Sequence, residues 1–149
     1  MKNKVLFLLI IFSLAFLNAC KKEAPEQEFS TAYPVSGDWL VIEDYGGGNT
    51  YGPYSLIISN TAANNESEIL IDNIYDSGMK CKASRSGNSF SAVKSEDLSG
   101  NVATISIQNG TVFNNDSEIS MVILLFNANG DTIDMYDCYG DRKTGFEDH

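Results

Sequence analysis

Between Asp38 and Tyr139 the chain is cut into nine short runs rich in Val, Ile, Thr and aromatic residues, separated by clusters of Asn, Gly, Ser and Asp. The runs are Asp38–Asp44, Tyr54–Ser59, Glu68–Asp72, Met79–Ser84, Ser89–Val93, Val102–Gln108, Thr111–Asn114, Glu118–Phe126 and Thr132–Tyr139. No apolar stripe of helical period competes with them, and the separating clusters carry tight-turn chemistry. The pattern predicts an all-β fold, an antiparallel meander of about eight strands, as a β-barrel or a β-sandwich. Asn109-Gly110 and Asn129-Gly130 each stand between two runs, and Asn-Gly tolerates the positive φ angles of a two-residue hairpin turn. Both pairs are therefore expected to be hairpin turns.

Period two assigns the faces. In "VATISIQ", Ala103, Ile105 and Ile107 share one side, and in "MKCKAS", Met79, Cys81 and Ala83 oppose Lys80, Lys82 and Ser84. In "SMVILLF" both faces are apolar, with Met121, Ile123 and Leu125 on one and Val122, Leu124 and Phe126 on the other. That strand needs cover on its outside or presents a patch to a partner. Trp39, Phe90, Ile105, Ile107 and Tyr136 are bulky interior residues, which suggests a mostly filled barrel.

Ahead of the runs, Lys2 and Lys4 precede an apolar segment from Val5 to Leu17, shorter than the roughly 20 residues of a membrane span. This is the layout of a secretory signal. Leu17-Asn18-Ala19-Cys20 resembles the bacterial lipobox, which implies cleavage before Cys20 and acylation of that cysteine. The expected organisation is a signal peptide over residues 1–19, a flexible tether over 20–34 with two prolines and several charges, and a single β domain over 35–149. Localisation follows: a lipoprotein of the cell envelope, expected at the outer membrane, whose membrane partner is reached through the lipid. Removal of residues 1–19 takes away Lys2 and Lys4 and no acid, leaving 8 basic side chains against 20 acidic ones. Such an excess repels phosphate backbones, so nucleic acid is not a partner.

The side chains that usually carry catalysis are sparse. The one histidine is His149, at the end of the chain, and no G-x-S-x-G or H-E-x-x-H stretch occurs. Gly46-Gly47-Gly48 precedes a strand and reads as a flexible loop, not as a phosphate cradle. "NANGD" at 127–131 lacks the ligand spacing of a calcium loop, so no metal and no cofactor is expected. No catalytic residue is assigned, and the reading leans away from an enzyme. Asp131-Thr132-Ile133 resembles the Asp-Ser/Thr-apolar site of O-glycosylation, which makes Thr132 a candidate; a plain hairpin turn explains the same residues. Cys81 and Cys138 remain once Cys20 is committed to lipid. In an oxidising compartment they can form a disulfide worth about 4 kcal/mol, or stay as two buried thiols; both readings stand.

"SGDWLVIED", "SLIISNTAANNESEILID", "VATISIQNGTVF" and "DCYGDRKTGFEDH" together resemble the Bacteroidetes lipoproteins known as lipid-binding putative hydrolases. The firmest marks are Gly37-x-Trp39, Asn60-Thr61-Ala62-Ala63-Asn64 and Gly140-x-Arg142-x-Thr144-Gly145-Phe146. Asp141 and Lys143 stand where the family pattern implies His and Arg, which removes an internal histidine base. A looser similarity is to lipocalins and other calycin barrels, in which a Gly-x-Trp on the first strand lies under an Arg after the last. It implies that the meander closes as a calycin-like barrel, a β-sandwich being the alternative, and that Trp39 closes one end of it or meets a ligand there, with Arg142 stacked across it. An ordinary core Trp and a solvated Arg are the other reading. The resemblance implies a binding module for an apolar, amphiphilic or glycan ligand; an accessory lipoprotein docking onto an envelope protein is the alternative.

Overall fold

A computed structural model describes residues 32–61 and 66–144. Eight strands follow in chain order: β1 (Gly37–Asp44), β2 (Thr50–Asn60), β3 (Glu68–Ile74), β4 (Met79–Ser86), β5 (Ser89–Glu96), β6 (Thr104–Phe113), β7 (Glu118–Phe126) and β8 (Thr132–Thr144). Each pairs with its successor, and β8 returns antiparallel to β1, with Val41 opposite Gly140 and Glu43 opposite Cys138. The ring is closed, so it has no unpaired edge and is a barrel of the calycin kind instead of a sandwich.

Alternation builds the interior. On β4, Met79, Cys81 and Ala83 are buried while Lys82 and Ser84 face solvent. On β7, Ile119, Met121, Ile123 and Leu125 point inward. Eight strands enclose a space just wide enough to be filled by side chains, and here it is filled: Trp39, Leu56, Ile58, Ile71, Ile105, Ile107, Ile123 and Tyr136 are each at most 2% exposed. The bulky interior expected from Trp39, Phe90, Ile105, Ile107 and Tyr136 is present, all five being buried.

Asn109-Gly110 is not a hairpin turn. The pair lies within β6, where Asn109 takes a φ of 54° and the register slips against β5 and against β7. The reason sits across the sheet. Gly110 is opposite Phe90, and a Cβ on Gly110 would lie 2.5 Å from the Phe90 ring. The aromatic side chain covers the glycine, and the positive φ angle makes a bulge that bends the strand. Two expected runs therefore fuse into one strand, giving eight in place of nine.

Asn129-Gly130 does lie in a hairpin, but the loop has five residues, because Phe126 pairs with Thr132. The Asn127 Oδ1 accepts from the N–H groups of Asn129 and Asp131, and Gly130 takes a φ of 85°. On the outside of β7, Val122 and Leu124 are half-buried and no second layer lies over them among the described residues. The Lys94 ammonium sits 4.9 Å from the Phe126 ring centroid and covers it, while Ile133 and Met135 on β8 remain exposed.

The packed region begins earlier than Val35. Residues 32–35 form a turn whose Ala32 and Val35 have no exposed surface, so the last residues of the expected tether belong to the fold. Cys20 lies outside the described residues.

Candidate functional site

The two ends of the barrel are chemically different. At one end the N-terminal turn folds across the opening. The Trp39 indole N–H donates to the Val35 carbonyl at 3.1 Å, and the Arg142 guanidinium lies 4.1 Å above the Trp39 ring. Arg142 also donates to the carbonyls of Asp116 at 2.6 Å, Ser36 at 2.7 Å and Pro34. Arg85 donates to the Tyr33 carbonyl at 2.7 Å, and the Tyr33 hydroxyl donates to Asp116 at 2.6 Å. Two guanidinium groups thus tie three separate segments into one plug, using the planar fork geometry that suits arginine.

The opposite end is built by the β1–β2, β3–β4, β5–β6 and β7–β8 loops, and five of the seven tyrosines gather there. Tyr45 packs on Tyr136 at 5.2 Å between ring centroids, Tyr136 on Tyr75 at 6.1 Å, Tyr75 on Tyr51 at 5.4 Å and Tyr51 on Tyr54 at 6.0 Å. Beneath them is Glu43, with no exposed surface. The period of β1 puts it there, since Trp39, Val41 and Glu43 share the inward face. Its carboxyl accepts hydrogen bonds from the Tyr54 and Tyr45 hydroxyls, the latter at 2.7 Å.

Local backbone geometry supports this arrangement. The β1–β2 pairing shifts between Val41 and Glu43, so Tyr54 turns inward opposite Val41 while Tyr51, opposite Glu43, stays exposed. Tyr75 takes a φ of 60°, unusual for a bulky residue and a mark of local strain. Its N–H donates to the Tyr54 hydroxyl at 3.1 Å, which couples the strained turn to the carboxyl. The three glycines of the β1–β2 loop all have positive φ angles, and their loop is closed by the Tyr45 N–H on the Asn49 carbonyl at 3.0 Å.

Burial raises the Glu43 pKa above the ordinary carboxyl value, the hydroxyls of Tyr54, Tyr45 and Tyr136 oppose the shift, and the nearby Asp134 charge reinforces it. Tyr136 feels the Glu43 charge as well as its own burial, and both push its ionisation up. The Tyr136 hydroxyl is buried and faces the Glu43 carboxyl without a well-formed hydrogen bond. Burial raises the Cys138 thiol to about 12, with Glu43 adding to the effect, so it stays protonated at neutral pH. That is the reverse of an activated nucleophile.

The residues singled out in the sequence are dispersed by the fold. Trp39 and Arg142 meet at the plugged end. Cys81 on β4 and Cys138 on β8 are free and buried, on strands half a turn apart around the eight-strand ring, so the filled interior separates them and no bridge is formed. Thr132 is exposed at the start of β8. Glu43, Tyr45, Tyr51, Tyr54 and Tyr75 had not been singled out. The available signal was the stretch "DYGGGNTYGPY", three tyrosines around a glycine loop, one of them two residues after a carboxylate that shares the parity of Trp39.

Comparison with known proteins gives one finding. A family model described as lipid-binding putative hydrolase matches residues 24–147. No curated protein and no solved structure matches the chain.

Proposed function

The chain belongs to the lipid-binding putative hydrolase family, and from that premise we propose that it is an envelope binding module for an apolar or amphiphilic ligand, tethered by acylation of Cys20. The observation that carries the reading is the tyrosine-lined end above Glu43. The interior is occupied by the chain's own side chains, so a ligand would be received at a mouth, and Tyr51 and Tyr75 are 44% and 38% exposed there. Aromatic surface beside a few placed polar groups is what small-ligand sites offer. The plugged end carries the N-terminal turn, so a chain anchored through Cys20 would hold the tyrosine end away from its attachment point.

The test is calorimetric titration of the full mature chain carrying Cys20→Ser, so that no acyl group competes, with straight-chain octyl compounds. Saturable binding that is lost in Tyr51→Ala with Tyr75→Ala supports the reading, and absence of binding to any of them refutes it. Globomycin-sensitive processing and an acylated N-terminal peptide by mass spectrometry would establish the anchor.

A second reading is favoured by one observation on the outer surface. Leu40, Ile42, Pro53, Phe113 and Tyr139 line a groove of about 380 Å³ outside β1 and β8, rimmed by Glu118 and Asp141. An accessory role would use this face to dock onto an envelope protein. Crosslinking from position 139 in whole cells, with the tyrosine end silent towards octyl compounds, would favour docking over ligand binding.

A further inference from the structure

We propose that the tyrosine end takes the cationic head of its ligand, an organic ammonium group, with Glu43 as the counter-ion and the rings of Tyr45, Tyr51, Tyr75 and Tyr136 as the walls. This rests on the ligand-binding reading above and names the head group that the site selects.

Three observations converge. The first is an uncompensated acid. Glu43 has no exposed surface, and the ion pairs among the described residues, Lys80–Asp72, Lys82–Glu68 and Lys143–Asp38, do not reach it. Buried carboxylates are ordinarily paired with a cation, coordinated or neutralised. Here two tyrosine hydroxyls donate to it, and none of the ion-paired cations among the described residues meets it.

The second is the wall. Successive centroid distances of 5.2, 6.1 and 5.4 Å run from Tyr45 through Tyr136 and Tyr75 to Tyr51, so four rings form one row, whose Tyr45 and Tyr136 adjoin the Glu43 carboxyl. Ring faces attract ammonium groups within about 6 Å of their centroids, and aromatic cages for alkylated amines are made of such clusters. An apolar pocket alone would need no carboxyl under the rings. A site for carboxylate heads would need a cation in its place.

The third is Tyr136 itself. Its hydroxyl is buried and faces the Glu43 carboxyl without a well-formed hydrogen bond, so it can turn towards a ligand head. The chain as a whole carries a formal charge of −10, which steers cations towards it and anionic amphiphiles away.

The experiment compares octyltrimethylammonium, octanol and octanoate on the mature chain carrying Cys20→Ser. Octyltrimethylammonium is expected to bind at least tenfold tighter than octanol, with octanoate weakest. In Glu43→Gln the preference for the ammonium over octanol should fall to threefold or less. Should that variant fail to fold, Tyr51→Leu with Tyr75→Leu serves instead: it keeps apolar area at exposed positions but removes two ring faces, and should weaken the ammonium at least fivefold and octanol less than twofold. Equal binding of octanol and octyltrimethylammonium to the unaltered site, or an unchanged preference in either variant, overturns the cation assignment while the ligand-binding reading survives. Failure of all three compounds to bind overturns both.

Discussion

The guanidinium of Arg142 lies 4.1 Å above the indole of Trp39 and donates at the same time to carbonyls of the N-terminal turn and of the β6–β7 loop. One side chain near the end of β8 therefore holds the first packed residues against the barrel. Arg142→Ala removes the stack and leaves three carbonyls without that donor, a loss of about 3 kcal/mol from hydrogen bonds to a charged group and the cation–π contact together. Lys cannot reproduce a planar fork, so Arg142→Lys should recover less than half of the loss. Denaturant unfolding followed by the emission of Trp39, the one tryptophan, measures both. Equal stability of the Ala variant and the parent protein would show that the plug forms without Arg142.

Gly110 on β6 faces Phe90 on β5, and any side chain at that position meets both the ring and the Phe90 carbonyl oxygen, 2.6 Å from where a Cβ would stand. Gly110→Ala should cost about 2 kcal/mol, the usual penalty for overpacking. Adding Phe90→Leu relieves the ring contact but not the carbonyl contact, so recovery should be partial, with coupling between the two sites in a double-mutant cycle. Additive effects would mean that the two residues do not share the bulge.

These relationships separate what the chain declares locally from what only the closed ring determines. The alternation in "MKCKAS" and "VATISIQ" is local, and it places Cys81 and Ile107 inside because period two is a property of any strand. Asn109-Gly110 is locally ambiguous, since a positive φ angle serves a turn or a bulge equally well, and the deciding residue, Phe90, is nineteen positions away by number. Glu43 was readable by parity from Trp39 and Val41, yet a glutamate among aspartates looks like surface charge until its hydroxyl partners are known. The five-tyrosine end was the least legible. It depends on a register shift between β1 and β2, a left-handed Tyr75 and a ring closure that brings Tyr136 next to Tyr45.

Cys81 and Cys138 should remain two separate thiols. Both are buried, burial raises each to about 12, and their strands lie on opposite sides of the ring. Unfolding without reductant, followed by alkylation and peptide mapping, should find both residues carrying the label. Native protein should label far more slowly than unfolded protein, because the thiolate is scarce and enclosed. A peptide pair linked through these two positions would contradict the packed-thiol arrangement.

Glu43 ties the stability of the barrel to pH. Burial raises its folded pKa above the ordinary carboxyl value of 4.5, so between that value and the raised one the folded chain holds a proton that the unfolded chain has released. Its contribution is fully present below 4.5 and is lost as pH rises through the folded pKa. The groups facing it are Tyr45, Tyr54 and Tyr136, whose ionisation is pushed up, Cys138, raised to about 12, and Asp134, whose negative charge strengthens the effect. Asp97, held below its ordinary value by N–H donors of Ser99, Lys80 and Val102 despite its burial, acts in the opposite sense at lower pH, and it is common to parent and variant. Glu43→Gln mimics the protonated carboxyl and removes only the pH dependence that Glu43 brings. The melting temperature of Glu43→Gln minus that of the parent should therefore grow as pH rises above 4.5 and level off once the folded carboxyl has ionised, without added ligand and at fixed salt. A difference that does not change with pH above 4.5 would mean that Glu43 ionises in the folded barrel as it does in the open chain.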